Sequence, residues 1–248
     1  MKKKLFFIFF LNTLLSLNAQ TQFGIKAGYN NSTGIYNQSN SASSKNISGI
    51  QFGVFGEKAV NSSWALHSNL VFMQKGNYAD YTDEKFSPDH YDYRTYRLNY
   101  LELDIALLYK ITMGKNSTVK FGIGPYIAAG LSGKETGFFY WFGNQGNINR
   151  SIKFSNEKAS EFNQTYFTPF EWGVNLKSSF SYKKYVLYIN YGRGISPRVL
   201  SKYAGNTSGN DFGKYEAGTK NQVLSIGFGY VFKTNSKKPS KVSCYNGN

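Results

Sequence analysis

The sequence predicts an all-β fold: an eight-stranded antiparallel up-and-down transmembrane β-barrel with long extracellular loops and short periplasmic turns. Three observations carry this expectation. Eight segments alternate apolar and small or polar residues with period two, each about 9–13 residues long, enough for a tilted strand to cross a bilayer. The connections between them run long, short, long, short, long, short, long. The composition combines 18% aromatic residues and 25 glycines with only 17% charged residues, a low charge share for a water-soluble exported chain.

The last segment, Gln222 to Phe232, has the clearest alternation. Leu224, Ile226, Phe228, Tyr230 and Phe232 share one face; Val223, Ser225, Gly227, Gly229 and Val231 share the other. Successive strand side chains point to opposite faces. A large apolar face backed by a small one fits a barrel wall with lipid outside. This strand is expected to close the barrel on the first strand, near Phe23.

Lys2 to Lys4 followed by the apolar run Leu5 to Leu11 and a small Ala19 before Gln20 have the form of a secretory signal peptide, residues 1–19. The run is too short for a membrane anchor. Residues 20–232 are expected to form one barrel domain in the outer membrane of a Gram-negative bacterium. Residues 233–248 form a basic periplasmic tail, with Lys233, Lys237, Lys238 and Lys241. It reads as a disordered extension or as an electrostatic contact with the cell wall or a periplasmic partner. The one cysteine, Cys244, forms no intramolecular disulfide.

The first strand runs from Gln22 to Asn31, with Phe23, Ile25, Ala27 and Tyr29 outward and Gly24, Lys26, Gly28 and Asn30 inward. A Ser/Asn-rich loop, Ser32 to Asn46, leads to the second, Ile47 to Lys58, with Ile50, Phe52 and Val54 outward. The third, Trp64 to Lys75, turns His67, Asn69, Met73 and Lys75 inward. After a long loop bearing Asp80, Asp83, Glu84, Asp89 and Asp92, the fourth spans Arg97 to Ile111, with Glu102 and Asp104 inward. The fifth, Val119 to Leu131, holds Pro125, which cannot donate to a ladder, so a bulge or a missing bond is expected there. The longest loop, Ser132 to Phe167, carries Phe138 to Phe142, read as an extended hairpin with Ile152 to Phe154. The sixth strand, Thr168 to Ser181, turns Glu171, Asn175 and Lys177 inward. Lys183-Lys184 is a tight turn, Tyr185 to Ile195 the seventh strand, and Ser196 to Asn221 the last loop.

An eight-stranded barrel has room inside only for side chains. Lys26, His67, Asn69, Glu102, Asp104, Glu171 and Lys177 are therefore expected to satisfy one another as a polar plug, since an unpaired buried charge is costly. Lys26 is the expected partner of Glu102 or Glu171. A proton or ion path is the alternative use of the same groups. The glycines of the first, second and last strands imply a low inner wall, filled by long side chains from the third to sixth. Phe23, Trp64, Tyr109, Tyr185 and Phe232 sit outward at the periplasmic strand ends, where amphipathic rings favour an interface, and form an expected aromatic girdle.

Little here supports catalysis. Glu102 and Asp104 share a face, but nearby lysines favour the ionised form of both. His67 has no nucleophile at a recognisable spacing. Two histidines and one tail cysteine do not make a zinc site, and the acids of the long loop lack calcium-loop spacing. No Gly-x-Gly opens a helix, so none is a phosphate loop. No cofactor is expected. The net charge of +15 reads as surface basicity or as contact with lipopolysaccharide or peptidoglycan; an exported chain without a recognition module argues against nucleic acid.

Phe23-Gly24-Ile25-Lys26-Ala27-Gly28-Tyr29-Asn30, Gln74-Lys75-Gly76, Tyr100-Leu101-Glu102-Leu103, Phe121-Gly122-Ile123-Gly124-Pro125-Tyr126 and the closing Ser225 to Phe232 occur in this order. Together they resemble the PorT-like outer-membrane β-barrel family of Bacteroidota. The chain departs from it at Asp104, where that family tends to have proline, and in the residues after Phe232. The resemblance implies an integral outer-membrane barrel without assigned enzymatic activity. A secretion role does not transfer on barrel similarity alone.

The expected role is therefore structural or in surface interaction. A narrow pore or small-solute channel, or an accessory barrel of a secretion system, is the alternative. Expected partners are outer-membrane lipid and lipopolysaccharide, the outer-membrane assembly machinery during insertion, and a periplasmic or surface protein. A terminal aromatic such as Phe232 resembles the signal that machinery reads. Deleting Lys233 to Asn248 should leave assembly intact while Phe232→Asp impairs it, scored by the heat-modifiable fraction in isolated membranes. The opposite pattern would mean that the barrel ends elsewhere.

Overall fold

The computed structural model describes residues 21–36, 43–81, 91–155, 164–198 and 219–234. Residues 1–20, read as mostly signal peptide, lie outside them, as do Asp83, Glu84, Asp89, His90, most of the last loop, and the residues beyond Thr234 with Cys244. Eleven strands occur in chain order: β1 (Thr21–Ile35), β2 (Ser43–Lys45), β3 (Ile47–Ala59), β4 (Trp64–Asp80), β5 (Tyr91–Met113), β6 (Ser117–Trp141), β7 (Asn144–Phe154), β8 (Gln164–Phe167), β9 (Phe170–Tyr182), β10 (Tyr185–Gly194) and β11 (Lys220–Thr234). Eight of them, β1, β3, β4, β5, β6, β9, β10 and β11, form a closed antiparallel ring. Its seam is β1 with β11, where Gly28 faces Gly227 and Ala27 faces Phe228. Closure leaves the ring no unpaired edge, which hydrocarbon would not tolerate.

The alternation read from sequence sets the two faces. Phe23, Ile50, Leu103, Ile123, Trp172, Ile189 and Phe228 are exposed on the outside. Lys26, Gln51, Asn69, Glu102, Tyr126, Glu171 and Ser225 are buried inside. The short turns gather at one end. There Asn61 Oδ1 accepts from the amides of Ser63 and Trp64 at 2.9 and 2.8 Å, and Tyr182 pairs with Tyr185 around Lys183-Lys184.

At the other end the strands outrun the expected spans. β4 continues to Asp80, β5 begins at Tyr91, and β6 runs on to Trp141, so much of the two segments read as loops, Gly76–Tyr96 and Ser132–Phe167, is ladder. Their polar composition hid an alternation that continues with Asn77, Ala79, Asp92, Arg94 and Tyr96 inside. The aromatic run does enter a hairpin, but Phe138 pairs with Asn147 and the register reaches Ile152 only at Gly133. Phe142 and Gly143, with φ of 46° and 80°, make its two-residue turn, the twist that suits a tight hairpin. β8 lies parallel to β7.

At Pro125 the ladder to β5 lapses between Asp104↔Tyr126 and Leu107↔Ile123 without a change of register. The result is a missing bond rather than a bulge. The bulges sit at Asn99/Tyr100 and at Phe23/Gly24.

The low wall at the seam has a different filling from the one expected. A Cβ on Gly28 or Gly227 would lie 2.6 or 2.4 Å from the Tyr188 hydroxyl, and one on Gly24 2.5 Å from the Phe55 ring. Phe55 comes from β3 and Tyr188 from β10, so the seam's near neighbours contribute as well as the far wall. A Cβ on Gly227 would also meet the Ala27 carbonyl at 2.3 Å. Gly227→Val should therefore lower folded-state stability by about 1–3 kcal/mol or more, the usual cost of overpacking, read from urea titration of the detergent-folded chain.

Candidate functional site

Among the described residues polar chemistry converges in the lumen, and β5 supplies its spine. Its inward residues Asp92, Arg94, Tyr96, Leu98, Tyr100, Glu102, Asp104, Ala106 and Leu108 are all buried. The central layer, the Asp104 layer and the long-loop end are each built around one or two of them.

The central layer is a lysine between two glutamates. Lys75 Nζ donates to Glu102 Oε2 at 2.7 Å and to Glu171 Oε1 at 3.2 Å. It also lies 4.7 Å over the Tyr126 ring and 5.2 Å over that of Tyr100. Tyr126 donates its hydroxyl to Glu171 at 2.6 Å, Asn175 donates to Glu102 at 3.0 Å, and Asn221 donates to Glu171. Both carboxylates thus accept several charge-assisted bonds, which are stronger than neutral ones.

The next layer toward the short turns holds Asp104, which accepts from Asn69 at 2.9 and 3.1 Å and from Lys177. Asn69 Oδ1 lies 3.0 Å from His67 Nε2. Below it, Lys120 reaches both oxygens of Glu57 at 2.8 and 2.7 Å, with His67 Nδ1 3.6 Å from Glu57. The His67 ring stacks on Phe55 at 5.6 Å.

Lys26 departs from expectation. It pairs with neither Glu102 nor Glu171, because Lys75 already occupies both. Among the described residues it makes no ion pair, and its Nζ sits 4.5 Å over the Tyr188 ring, a cation–π contact.

The long-loop end is closed by a second cluster. Arg94 makes a two-point contact with Asp92, both at 2.8 Å, and donates to Glu135 at 2.9 Å. Arg198, 1% exposed, lies between the rings of Tyr96 and Phe167 at 5.0 and 4.8 Å and donates to Asn77 at 2.6 Å. Tyr81, Tyr96, Leu98, Tyr100, Ile152 and Phe167 belong to one buried apolar cluster at this end.

Little space remains. A cavity of about 10 Å³ touches Lys26, Lys75 and Glu102, and one of about 40 Å³ touches His67, Lys120 and Tyr188. Room for one to a few waters is all this provides. A wider recess of about 180 Å³ lies at the short-turn end, lined by Glu57, Lys110, Lys120 and Lys183.

All seven lumenal residues picked from sequence face the interior. Six of them form two clusters: Glu102 with Glu171, and His67, Asn69, Asp104 and Lys177. Lys26 stands apart. Glu57 was missed, although it shares the parity of Gln51 and Phe55 on its strand. Asp92, placed by the sequence in the long loop, is a buried ion-pair partner of Arg94. Arg198 and Asn221 lie in or beside a Gly/Ser/Asn-rich stretch with no alternation to reveal them. The outward aromatics Phe23, Trp64, Tyr109, Tyr185 and Phe232 are all exposed, and Trp64 meets Tyr109 edge-on at 5.1 Å. No cluster of three metal-ligating side chains occurs among the described residues.

A closed ring with lipid-compatible faces and a polar interior narrows the choice of family. The family model described as outer membrane protein beta-barrel domain matches residues 18–199. The chain belongs to that family. The outer membrane protein beta-barrel domain accounts for its transmembrane architecture and its outer-membrane location. A comparison with curated proteins returned no match. Similar solved structures include Ail of Yersinia pestis, at 12% identity over 87% of this chain and 100% of that one, TM-score 0.35. Neisserial surface protein A follows at 10% identity, 85% and 97% coverage, TM-score 0.41. OprG of Pseudomonas aeruginosa stands at 16% identity, 86% and 97% coverage, TM-score 0.41.

Lys75 holds two carboxylates at once, so Lys75→Met strands both. It should cost about 3–5 kcal/mol, the usual penalty for breaking a buried pair. Lys26→Met, which breaks no ion pair, should cost clearly less. Urea midpoints of the two detergent-folded variants check the ranking.

Proposed function

We propose that this outer-membrane barrel is a closed, non-conducting and non-catalytic protein that works through its extended long-loop end, in a structural or surface-interaction role. The observation that carries the reading is the filled interior. Three ion-paired layers occupy the lumen, and Arg198, Tyr96 and Phe167 cover its mouth. Buried charge on this scale is stable only when matched, and matching uses the groups a pore would need free.

We place the short turns in the periplasm and the extended strands outside the cell. The support is the general rule for such barrels together with a leader of signal-peptide form. The finer kinship, to PorT-like barrels, rests on the five ordered motifs. Physical sense can be given to one of them. Gly76, ending Gln74-Lys75-Gly76, has φ of +152° and would set a Cβ 1.8 Å from the Tyr96 carbonyl, so no other residue fits. A secretion role has no separate support.

Planar-bilayer recording of the folded chain tests the main reading. We expect no steady single-channel conductance. Discrete, reproducible open steps would replace this reading with that of a narrow pore.

A further inference from the structure

The outward face of β4, β5 and β6 is not uniform along its length. Register aligns it in rows across the three strands. Phe72, Leu101 and Ala129 form one row, Gln74, Asn99 and Ser132 the next, then Gly76, Arg97 and Lys134, then Tyr78, Thr95 and Thr136, then Asp80, Tyr93 and Phe138. Toward the short turns the face is apolar, through Leu103, Leu107 and Tyr109. It therefore has three tiers: aliphatic, cationic, then aromatic.

The cationic tier is unmatched. Arg97 and Lys134 are exposed and directly opposed, and neither has an ion-pair partner among the described residues. Like charges placed opposite each other on a sheet destabilise it. The neighbouring Gly76 adds no side chain to cover Arg97. Nearby carboxylates are directed elsewhere: Glu57, Asp92, Glu102, Asp104, Glu135 and Glu171 are all buried inside. Only Asp80 of the described acids shares this face, two rows further on. By strand rise, the cationic row stands roughly 13 Å along the chain beyond Leu101, and the Tyr93 row roughly 13 Å beyond that.

The aromatic tier is a cross-strand stack. Tyr78 and Tyr93 lie 6.2 Å apart at 21°, and Tyr93 and Phe138 5.9 Å apart at 30°. Tyr93 is 41% exposed. Lys45 adds its Nζ 5.5 Å over Tyr78.

We propose that this face binds a phosphorylated glycolipid of the outer leaflet. Its acyl chains lie along the Phe72–Leu101–Ala129 wall, its phosphate sits between Arg97 and Lys134, and its saccharide rests on Tyr93 and Phe138. The order of the tiers is the order of those three chemistries along such a lipid. Phosphate between the two cations relieves their repulsion with charge-assisted hydrogen bonds. The proposal rests on the reading that this end of the barrel faces out of the cell.

The test uses the full chain folded in detergent and titrated with rough lipopolysaccharide, with bound lipid counted by native mass spectrometry. Lipid A without core sugars, dephosphorylated lipid A and phosphatidylglycerol are the comparison lipids. Arg97→Gln/Lys134→Gln should lower affinity for rough lipopolysaccharide and for lipid A by about tenfold or more, given the strength of charge-assisted bonds. Dephosphorylated lipid A should bind the unaltered chain as weakly. Tyr93→Ala/Phe138→Ala should weaken rough lipopolysaccharide and spare lipid A. Folding of each variant is scored by heat-modifiable migration, and Lys184→Gln, at the opposite end, serves as the charge control.

Equal binding by the Arg97/Lys134 variant, an equal loss with Lys184→Gln, or phosphatidylglycerol binding as tightly as the glycolipids would overturn the proposal while leaving the closed barrel standing. A chain that binds as described but conducts would overturn only the closed-lumen reading. If vesicle-inserted chain exposes the Lys183-Lys184 turn, rather than the Phe142-Gly143 turn, to protease outside, the orientation and this proposal fall together.

Discussion

The pairing of β11 with β1 is the constraint on which the rest of the molecule depends. Within hydrocarbon no water satisfies an exposed amide or carbonyl, so a sheet must close on itself. Eight strands set the bore, and that bore admits side chains and little else. The seam shows how tightly the two requirements meet. Gly28 and Gly227 face each other there because the Tyr188 hydroxyl and the opposing backbone occupy the space a Cβ would take.

A small bore lined with ionisable groups imposes a second condition, charge balance. Glu57, Glu102, Asp104 and Glu171 are answered by Lys120, Lys75 and Lys177 in hydrogen-bonded sets. Lys26 adds a fourth positive charge, held over an aromatic ring. A lumen balanced in this way holds no net charge. The net charge of +15 is therefore carried elsewhere in the chain, the Arg97–Lys134 row included.

The strand extensions connect the interior to the surface. β4, β5 and β6 carry the same in–out alternation beyond the apolar band. Their inward residues then build the Arg94 and Arg198 clusters, and their outward residues build the cationic and aromatic tiers. One register therefore serves both the cap over the lumen and the face toward the outer leaflet.

Much of this was legible in the sequence because the signal is local. Period-two alternation assigns each residue of a strand to a face whatever its neighbours are, so Lys26, Glu102, Asp104, Glu171 and Lys177 could be turned inward without knowing what they meet. Alternating connection lengths separated the short-turn end from the long-loop end. Partners were not legible. Whether Lys26 or Lys75 holds Glu102 depends on the stagger between strands distant in sequence, and no period within one strand encodes it. Asp92 and Arg198 were hidden by polar surroundings that resemble loop. The sequence by itself determined a closed barrel, its two faces and its outer-membrane character, because lipid and lumen select residue types position by position. Only the tertiary structure decided which charges meet, what fills the seam and how far the strands extend, because those follow from contacts between residues far apart in the chain, such as Lys26 with Tyr188 and Gly28 with Gly227.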